Sequence, residues 1–366
     1  METGDDILAI EEDEISSGKK AKGLFRKIFW FVLRIGLAAG IIGWLVSRNF
    51  DKFVQSLAAF NYYWLIPACL CYFLHMLVCS WRWYKLAKVL DIQITLYDAF
   101  SLTMKSYFFS LVIPGGAIGG DLAKVGFLSS RTPKGTKVEG AFTILMDRIV
   151  GMVALFSIAI IIILSTLPIL MSIDLTVLGL QNKLMHVAAI AGLLGMCLFG
   201  LIAMFAIFYH QTLEKFKPIG YLMKMGDLYT NNAVSRMTAA TDIYRNQLKL
   251  FLEMTVVSIF LVHLNMVLVV FFIMKGMGIG HVHLVTLTSA VIIGNIAGLI
   301  PLTVSGVGLR DVTIATILYA GGIENATTIP IIFTALILVF NIFSGLFFVF
   351  DSDKKNKRRQ ASDKPQ

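Results

Sequence analysis

A chain of 366 residues with 57% hydrophobic and 15% charged residues has too little polar surface to cover a soluble fold of that size, so it reads as a polytopic membrane protein. Its formal net charge of +9 would suit nucleic acid, but the Lys and Arg residues stand at the ends of apolar segments and in the C-terminal tail, a placement set by membrane topology and anionic headgroups. Cys69, Cys71, Cys79 and Cys197 all lie in apolar runs without pairing or metal-ligand spacing and read as packing residues, so neither a metal nor another cofactor is expected.

Residues 1–24 form an acidic and then basic tail, in which Asp5, Asp6 and Glu11 to Glu14 lead into Lys19, Lys20 and Lys22. No small-residue cleavage site follows the first apolar run, at about 26–47, so that run is expected to stay in the membrane as a span with a cytoplasmic N-terminus. The aromatic-rich run from Tyr62 to about Ser80 then returns inward. Arg82, Lys85 and Lys88, interleaved with Trp81, Trp83 and Tyr84, read as its anchor at the inner interface.

Residues 98–113 give only about 24 Å of helix before Pro114, Gly115 and Gly116 break it. A second short helix, 121–129, runs into Arg131, Lys134 and Lys137. With basic residues at its end and a cytoplasmic start, 98–130 reads as a re-entrant helical hairpin entering from the cytoplasm. Residues 138–166 cross outward, carrying Glu139, Asp147 and Arg148, and complete a first repeat over 25–166.

The second repeat covers 167–350. After an external loop, 185–209 returns inward and 210–248 forms a basic amphipathic segment on the inner leaflet. Residues 250–274 cross outward, and 328–350 lead to the basic tail 351–366, which requires a cytoplasmic C-terminus. Residues 284–322 therefore begin and end outside, as a second hairpin broken between Pro301 and Gly308. The expected fold is all-α, with two inverted-topology repeats, six full spans and two re-entrant hairpins; the alternative is eight full spans.

The chemistry-bearing residues gather at the breaks. Asp121 follows Gly119 and Gly120 and reads either as an N-cap or as a functional charge at membrane depth, with Lys124 one turn on as its potential pair. Arg310 stands at a helix N-terminus, where a cation is unfavourable unless an anion joins it. Either a lipid phosphate held by the Ser305–Gly306–Val307–Gly308 amides fills that place, or Arg310 pairs internally with Asp311 or Asp147. Asp147 and Arg148, about 100° apart on one helix, are expected to serve different partners, with Arg148 turned toward the first hairpin. Glu139 is either an interface residue or a proton carrier. His75 and His263 have no partner spacing, and His281 and His283 read as a surface loop. Intramembrane protease motifs fail by one residue each, at Ile118 and Thr303, and no Gly-Lys-Ser/Thr phosphate loop for ATP is present.

Taken in order, Pro114 with Gly115–Gly116 and Gly119–Gly120–Asp121, then Asp147–Arg148, then Pro301 with Ser305–Gly306–Val307–Gly308–Leu309–Arg310–Asp311, resemble the membrane region of lysylphosphatidylglycerol synthases, also described as flippase-like integral membrane proteins. The resemblance covers about residues 25–350. Lys124 stands where arginine is usual, Ser305 where glycine is usual, and Asp311 where glutamate is usual. In multidomain relatives a cytosolic aminoacyl transferase makes the lipid and the membrane region moves it. The resemblance therefore implies a lipid translocator, not an enzyme, that handles a phosphate-bearing headgroup made elsewhere, with a lipid-synthesising enzyme as a partner class. Two other readings are a membrane enzyme or lipid-presenting subunit in aminoacyl-lipid or polyprenyl-linked sugar synthesis, and a proton-coupled solute transporter using Glu139 and Asp121.

Overall fold

The computed structural model describes residues 54–350 apart from 56, 114, 134–135, 173–181, 216, 231, 281–282 and 300–307. The expected first span, both tails, and Pro114, Pro301, Ser305, Gly306 and His281 lie outside the described residues. Among those described there are helices and no strand, and five helices are long and apolar enough to cross a membrane. The chain is an all-α polytopic membrane protein.

The first described span begins with a 3-10 turn, Tyr62–Trp64, whose Tyr63 amide is accepted by the side chain of Asn61, and continues as α1, Leu65–Val89. It does not stop near Ser80. The helix carries Arg82 and Trp83 into the protein, where both are buried, so Arg82 is not an interface anchor. Lys85 and Lys88 do lie over the rings of Trp81 and Tyr84, as an anchored helix end requires.

Helices α2, Leu96–Val112, and α3, Ala117–Ser129, form the first hairpin. Thr95 and Asp98 close a capping box at the start of α2. Arg131, just past α3, donates to Asp98 Oδ1 at 3.0 Å, so the two limbs run antiparallel and both open ends lie on one side. Gly115 and Gly116 take positive φ at the break, and Gly116 caps α3. Asp121 thus lies in the second turn of α3 and is not its N-cap. The limbs touch because Gly120 has no side chain: a Cβ there would stand 2.3 Å from the Ser106 carbonyl oxygen. Gly120→Ala is accordingly expected to cost about 1–3 kcal/mol through a forced backbone shift. Gly126, with open space around it, is the control: Gly126→Ala should leave the thermal midpoint in detergent unchanged or higher.

Helix α4, Lys137–Ser165, follows, with a short α5, Leu167–Ser172. Helix α6, Lys183–Phe208, keeps large residues such as Leu184, Phe199 and Ile202 exposed, which suits a helix facing lipid. Past a one-turn α7, His210–Leu213, come α8, Lys217–Thr230, and α9, Ala233–Arg245, which make up the expected amphipathic segment. The Ser235 amide (2.9 Å) and hydroxyl both donate to Asp227, tying α8 to α9. Those bonds, led by the hydroxyl, hold the Asp227 carboxyl below the ordinary aspartate range. A carboxylate lowered on folding stabilises above its unfolded pKa and loses that contribution as pH falls through the folded one. Corrected amide exchange at Val234 and Ser235 should therefore stay flat from neutral pH to about pH 4 and rise below it, a step that Asp227→Asn removes. A step near neutral pH would contradict the assignment.

The next span is α10, Leu248–Val257, a π-helical stretch, Ser258–Leu264, and α11, Asn265–Gly276. Helices α12, Leu284–Ala297, and α13, Leu309–Ala320, form the second hairpin, and α14, Thr328–Phe343, belongs to a final span that reaches Phe350. A Cβ on Gly294 would meet Ile314 at 2.6 Å, and one on Gly321 would meet Thr286 at 2.4 Å. These approaches again set two limbs antiparallel. Gly308, with φ 99°, caps α13 as Gly116 caps α3. Helix α1 packs on α2, α4, the π-helical stretch and α11, so its faces reach most of the assembly.

Candidate functional site

Tyr72, His75, Cys79 and Arg82 follow one another at steps of three, four and three residues, so they share one face of α1 and extend along roughly 15 Å of it. This face joins two clusters of charge.

The first cluster gathers at α3 and α4. Arg82 Nε donates to Asp147 Oδ1 at 2.7 Å and Nη1 to Ser258 Oγ at 2.8 Å, at the first residue of the π-helical stretch. Gly151 leaves room for this guanidinium, since a Cβ there would stand 3.3 Å from it. Arg148 donates through Nε and Nη2 to Asp121 Oδ2, at 2.9 and 2.5 Å, and through Nη2 to the Ala117 carbonyl. The neighbours Asp147 and Arg148 thus serve α1 and α3 respectively, as their angular separation requires. Lys124 does not hydrogen-bond Asp121. It is buried with its Nζ 3.6 Å from the centre of the Trp83 ring, and Trp83 Nε1 donates to Thr143.

The second cluster begins α13. Arg310 Nε donates to Asp311 Oδ1 at 3.0 Å, and Arg310 Nη2 to the Thr334 hydroxyl, which itself donates to Asp311 Oδ1 at 2.8 Å. Asp311 Oδ2 accepts the Gly308 amide at 3.2 Å, and the guanidinium lies over the Phe333 ring. The anion that Arg310 meets at this helix start is the chain's own fully buried Asp311 carboxylate, while Ser305, Gly306 and Val307, expected to offer amides to a phosphate, lie outside the described residues. Asp147 belongs to Arg82 and takes no part here. One α14 face carries both Thr334 and Asn341, and the Tyr72 hydroxyl points at Asn341 Oδ1 from 3.5 Å.

Glu139 lies apart. Both its oxygens are held by Arg236 of α9, so it fastens the amphipathic segment to the end of α4. The expected seven-residue binding set is therefore divided into a group of four at the first hairpin, a pair at the second, and one surface latch. Among the described residues these charges close on one another instead of lining an open central chamber. An open cavity of about 580 Å³ lies elsewhere, against Met277, Ile279, His283 and Gly321 to Asn325, at the open end of the second hairpin.

Several participants were not singled out from sequence. Arg82 has the local composition of an anchor, although its spacing from Tyr72, His75 and Cys79 marks the buried face. Lys105 on α2 is buried with its Nζ 5.1 Å from the Phe127 ring centre, and nothing in its neighbourhood in sequence announces this. Cys79 is buried, with its Sγ 3.8 Å from His75 Nε2. Ser258, Thr334 and Asn341 resemble the many hydroxyl and amide residues scattered through apolar helices.

Residues 31–346 match the family described as "Lysylphosphatidylglycerol synthase TM region". No curated protein and no solved structure matches the chain. With 31–346 of 366 residues covered, and with the helical membrane architecture above, this chain is an integral membrane protein of a lipid-related family and belongs to the lysylphosphatidylglycerol synthase transmembrane region.

Proposed function

We propose that this protein is a transporter, not an enzyme, that moves a lipid with a phosphate-bearing anionic or zwitterionic headgroup across the cytoplasmic membrane, with both termini on the cytoplasmic side. Its hairpins enter from opposite faces, as corresponding parts of an inverted repeat. The observation that carries this reading is the pairing of breaks and charges: each second limb starts at a positive-φ glycine and bears in its first turns a carboxylate paired with an arginine, Asp121 with Arg148 of α4 and Asp311 with Arg310. Charges in the body of a membrane protein are costly, and a chain that had only to span the bilayer has no use for them.

The two pairs differ in a way that supports a route. The Arg148 and Asp121 side chains are 39% and 26% exposed, whereas those of Arg310 and Asp311 are 9% and 0% exposed. A headgroup phosphate arriving at the first hairpin exchanges with Asp121 for the Arg148 guanidinium, which offers a bidentate fork. The sealed second pair is the corresponding place on the other side, opened when the halves rock. A proton relay through Glu139 and Asp121 has less support, because each carboxylate is already paired with an arginine.

The test is lipid movement in vesicles carrying the purified chain and a tail-labelled fluorescent phosphatidylglycerol, read by chemical quenching of the outer leaflet. Wild type should move the probe faster than empty vesicles do, and Arg148→Gln should slow it by about tenfold or more, the equivalent of one charge-assisted hydrogen bond. Equal rates in wild-type and empty vesicles would refute the proposal. Turnover of the lipid in the same vesicles would instead favour the enzyme reading.

A further inference from the structure

Between the two charge clusters lies a group that none of the ion pairs uses. His75 Nε2 stands 3.4 Å from the Tyr107 hydroxyl on α2 and 3.8 Å from Cys79 Sγ one turn along α1, and the ring stacks on Tyr72. Its Nδ1 is buried with no hydrogen-bond partner among the described residues. Buried polar atoms are nearly always satisfied, and an exception in a membrane body points to something that visits it.

The visitor fits a proton. With Nε2–H directed at Tyr107 or Cys79, Nδ1 presents an unused lone pair that can take a proton. The titratable and charged groups facing it come from every side. Tyr72, Cys79 and Arg82 share its own helix, and Tyr107 belongs to α2. Asp147 of α4 is bound to Arg82, and Arg310 with Asp311 lies beyond Tyr72. His263 of the π-helical stretch is within electrostatic reach, its Nε2 donating to the Gly151 carbonyl at 3.0 Å. None of the carboxylates among the described residues pairs with His75. An imidazolium there therefore adds a positive charge two turns along α1 from Arg82, with the Cys79 thiol between them, in surroundings where charges act strongly on each other.

We propose that His75 is the proton-coupling site of this transporter, an inference that rests on the translocation reading above. A hydronium ion on the acidic side gives its proton to Nδ1 and leaves water. The imidazolium repels Arg82 and loosens its hold on Asp147 and Ser258, at the π-helical stretch that joins α10 to α11. Loss of the proton on the other side restores the pair. Lipid movement is thereby tied to a transmembrane proton gradient, with no nucleotide required.

The experiment uses the same vesicles with and without an imposed gradient of about two pH units, enough to support about a hundredfold leaflet bias at one proton per lipid. A trapped pH-sensitive dye reports proton entry. Wild type should concentrate the labelled phosphatidylglycerol in one leaflet under the gradient and distribute it evenly without one, with proton entry that depends on the probe lipid. His75→Gln and His75→Asn should give the same leaflet distribution with or without the gradient, while His263→Gln responds as wild type does. Wild-type movement indifferent to the gradient, or a His75→Gln protein that still follows it, would overturn the coupling and leave translocation standing. No probe movement by wild type under any condition would remove the translocation reading itself, and the coupling with it.

Discussion

Arg82→Met is expected to destabilise the protein by about 3–5 kcal/mol, because it strips a buried carboxylate of its cation. The Arg82 side chain is 6% exposed and Asp147 16%, so water cannot replace the guanidinium that now sits 2.7 Å from Asp147. Asp147 must then take a proton or draw the first hairpin's Lys124 out of its contact with Trp83. Ser258 keeps its own bond to the Met254 carbonyl but loses its link to α1, so the π-helical stretch is released as well. The second substitution separates charge burial from packing. Arg82→Met with Asp147→Leu should recover most of the loss, since a buried pair replaced by apolar residues of similar volume is often neutral. Thermal unfolding in detergent provides the measurement, with Arg131→Ala as the exposed comparison: its bridge to Asp98 is 29% and 32% exposed and is worth about 0–1 kcal/mol. If Arg82→Met were as mild as Arg131→Ala, the buried arrangement described for α1 would be wrong.

Asp311→Ala should cost a similar amount, about 3–5 kcal/mol, by a different route. This carboxylate accepts the Gly308 amide, the Arg310 guanidinium and the Thr334 hydroxyl, so its removal orphans a helix start, a buried cation and a buried hydroxyl together. Asp311→Asn keeps the shape and part of the bonding while losing the charge, and should fall between wild type and alanine, at about 1.5–3 kcal/mol. Thr334→Val removes one bond from each partner and should cost less again. The order alanine, asparagine, valine in falling thermal midpoint loss is the signature of a carboxylate at the centre of the cluster. A loss for valine equal to that for alanine would place the centre at Thr334.

The hairpins were legible because helix-breaking residues are rare inside apolar runs. Gly115–Gly116 and Gly308 sit at the observed starts of α3 and α13, and of the charges that follow them Asp121, Arg310 and Asp311 are in ion pairs while Lys124 lies over Trp83. The sequence also separates Asp147 from Arg148 by helical angle alone. The burial of Arg82 is hidden in the sequence because an inner-interface anchor and a buried ion pair have the same local composition, with Trp81, Trp83, Tyr84, Lys85 and Lys88 around them. Only the step pattern from Tyr72 distinguishes the two. The closing of Arg310 on Asp311 was legible only as one of two alternatives, because adjacent residues diverge in a helix interior but fold back together at its first turn. Thr334 and Asn341 carried no signal, since hydroxyl and amide side chains in apolar helices commonly bond their own backbone.

The account stands on hairpins that open to opposite sides of the membrane, and one labelling experiment addresses this directly. Cysteines placed at Ser130, at the open end of the first hairpin, and at Gly322, at the open end of the second, are treated with a membrane-impermeant thiol reagent in whole cells and in inverted vesicles. Gly322→Cys should react in whole cells and Ser130→Cys in inverted vesicles only. Reaction of both from the same side would contradict the opposed-hairpin arrangement and the route for lipid built on it.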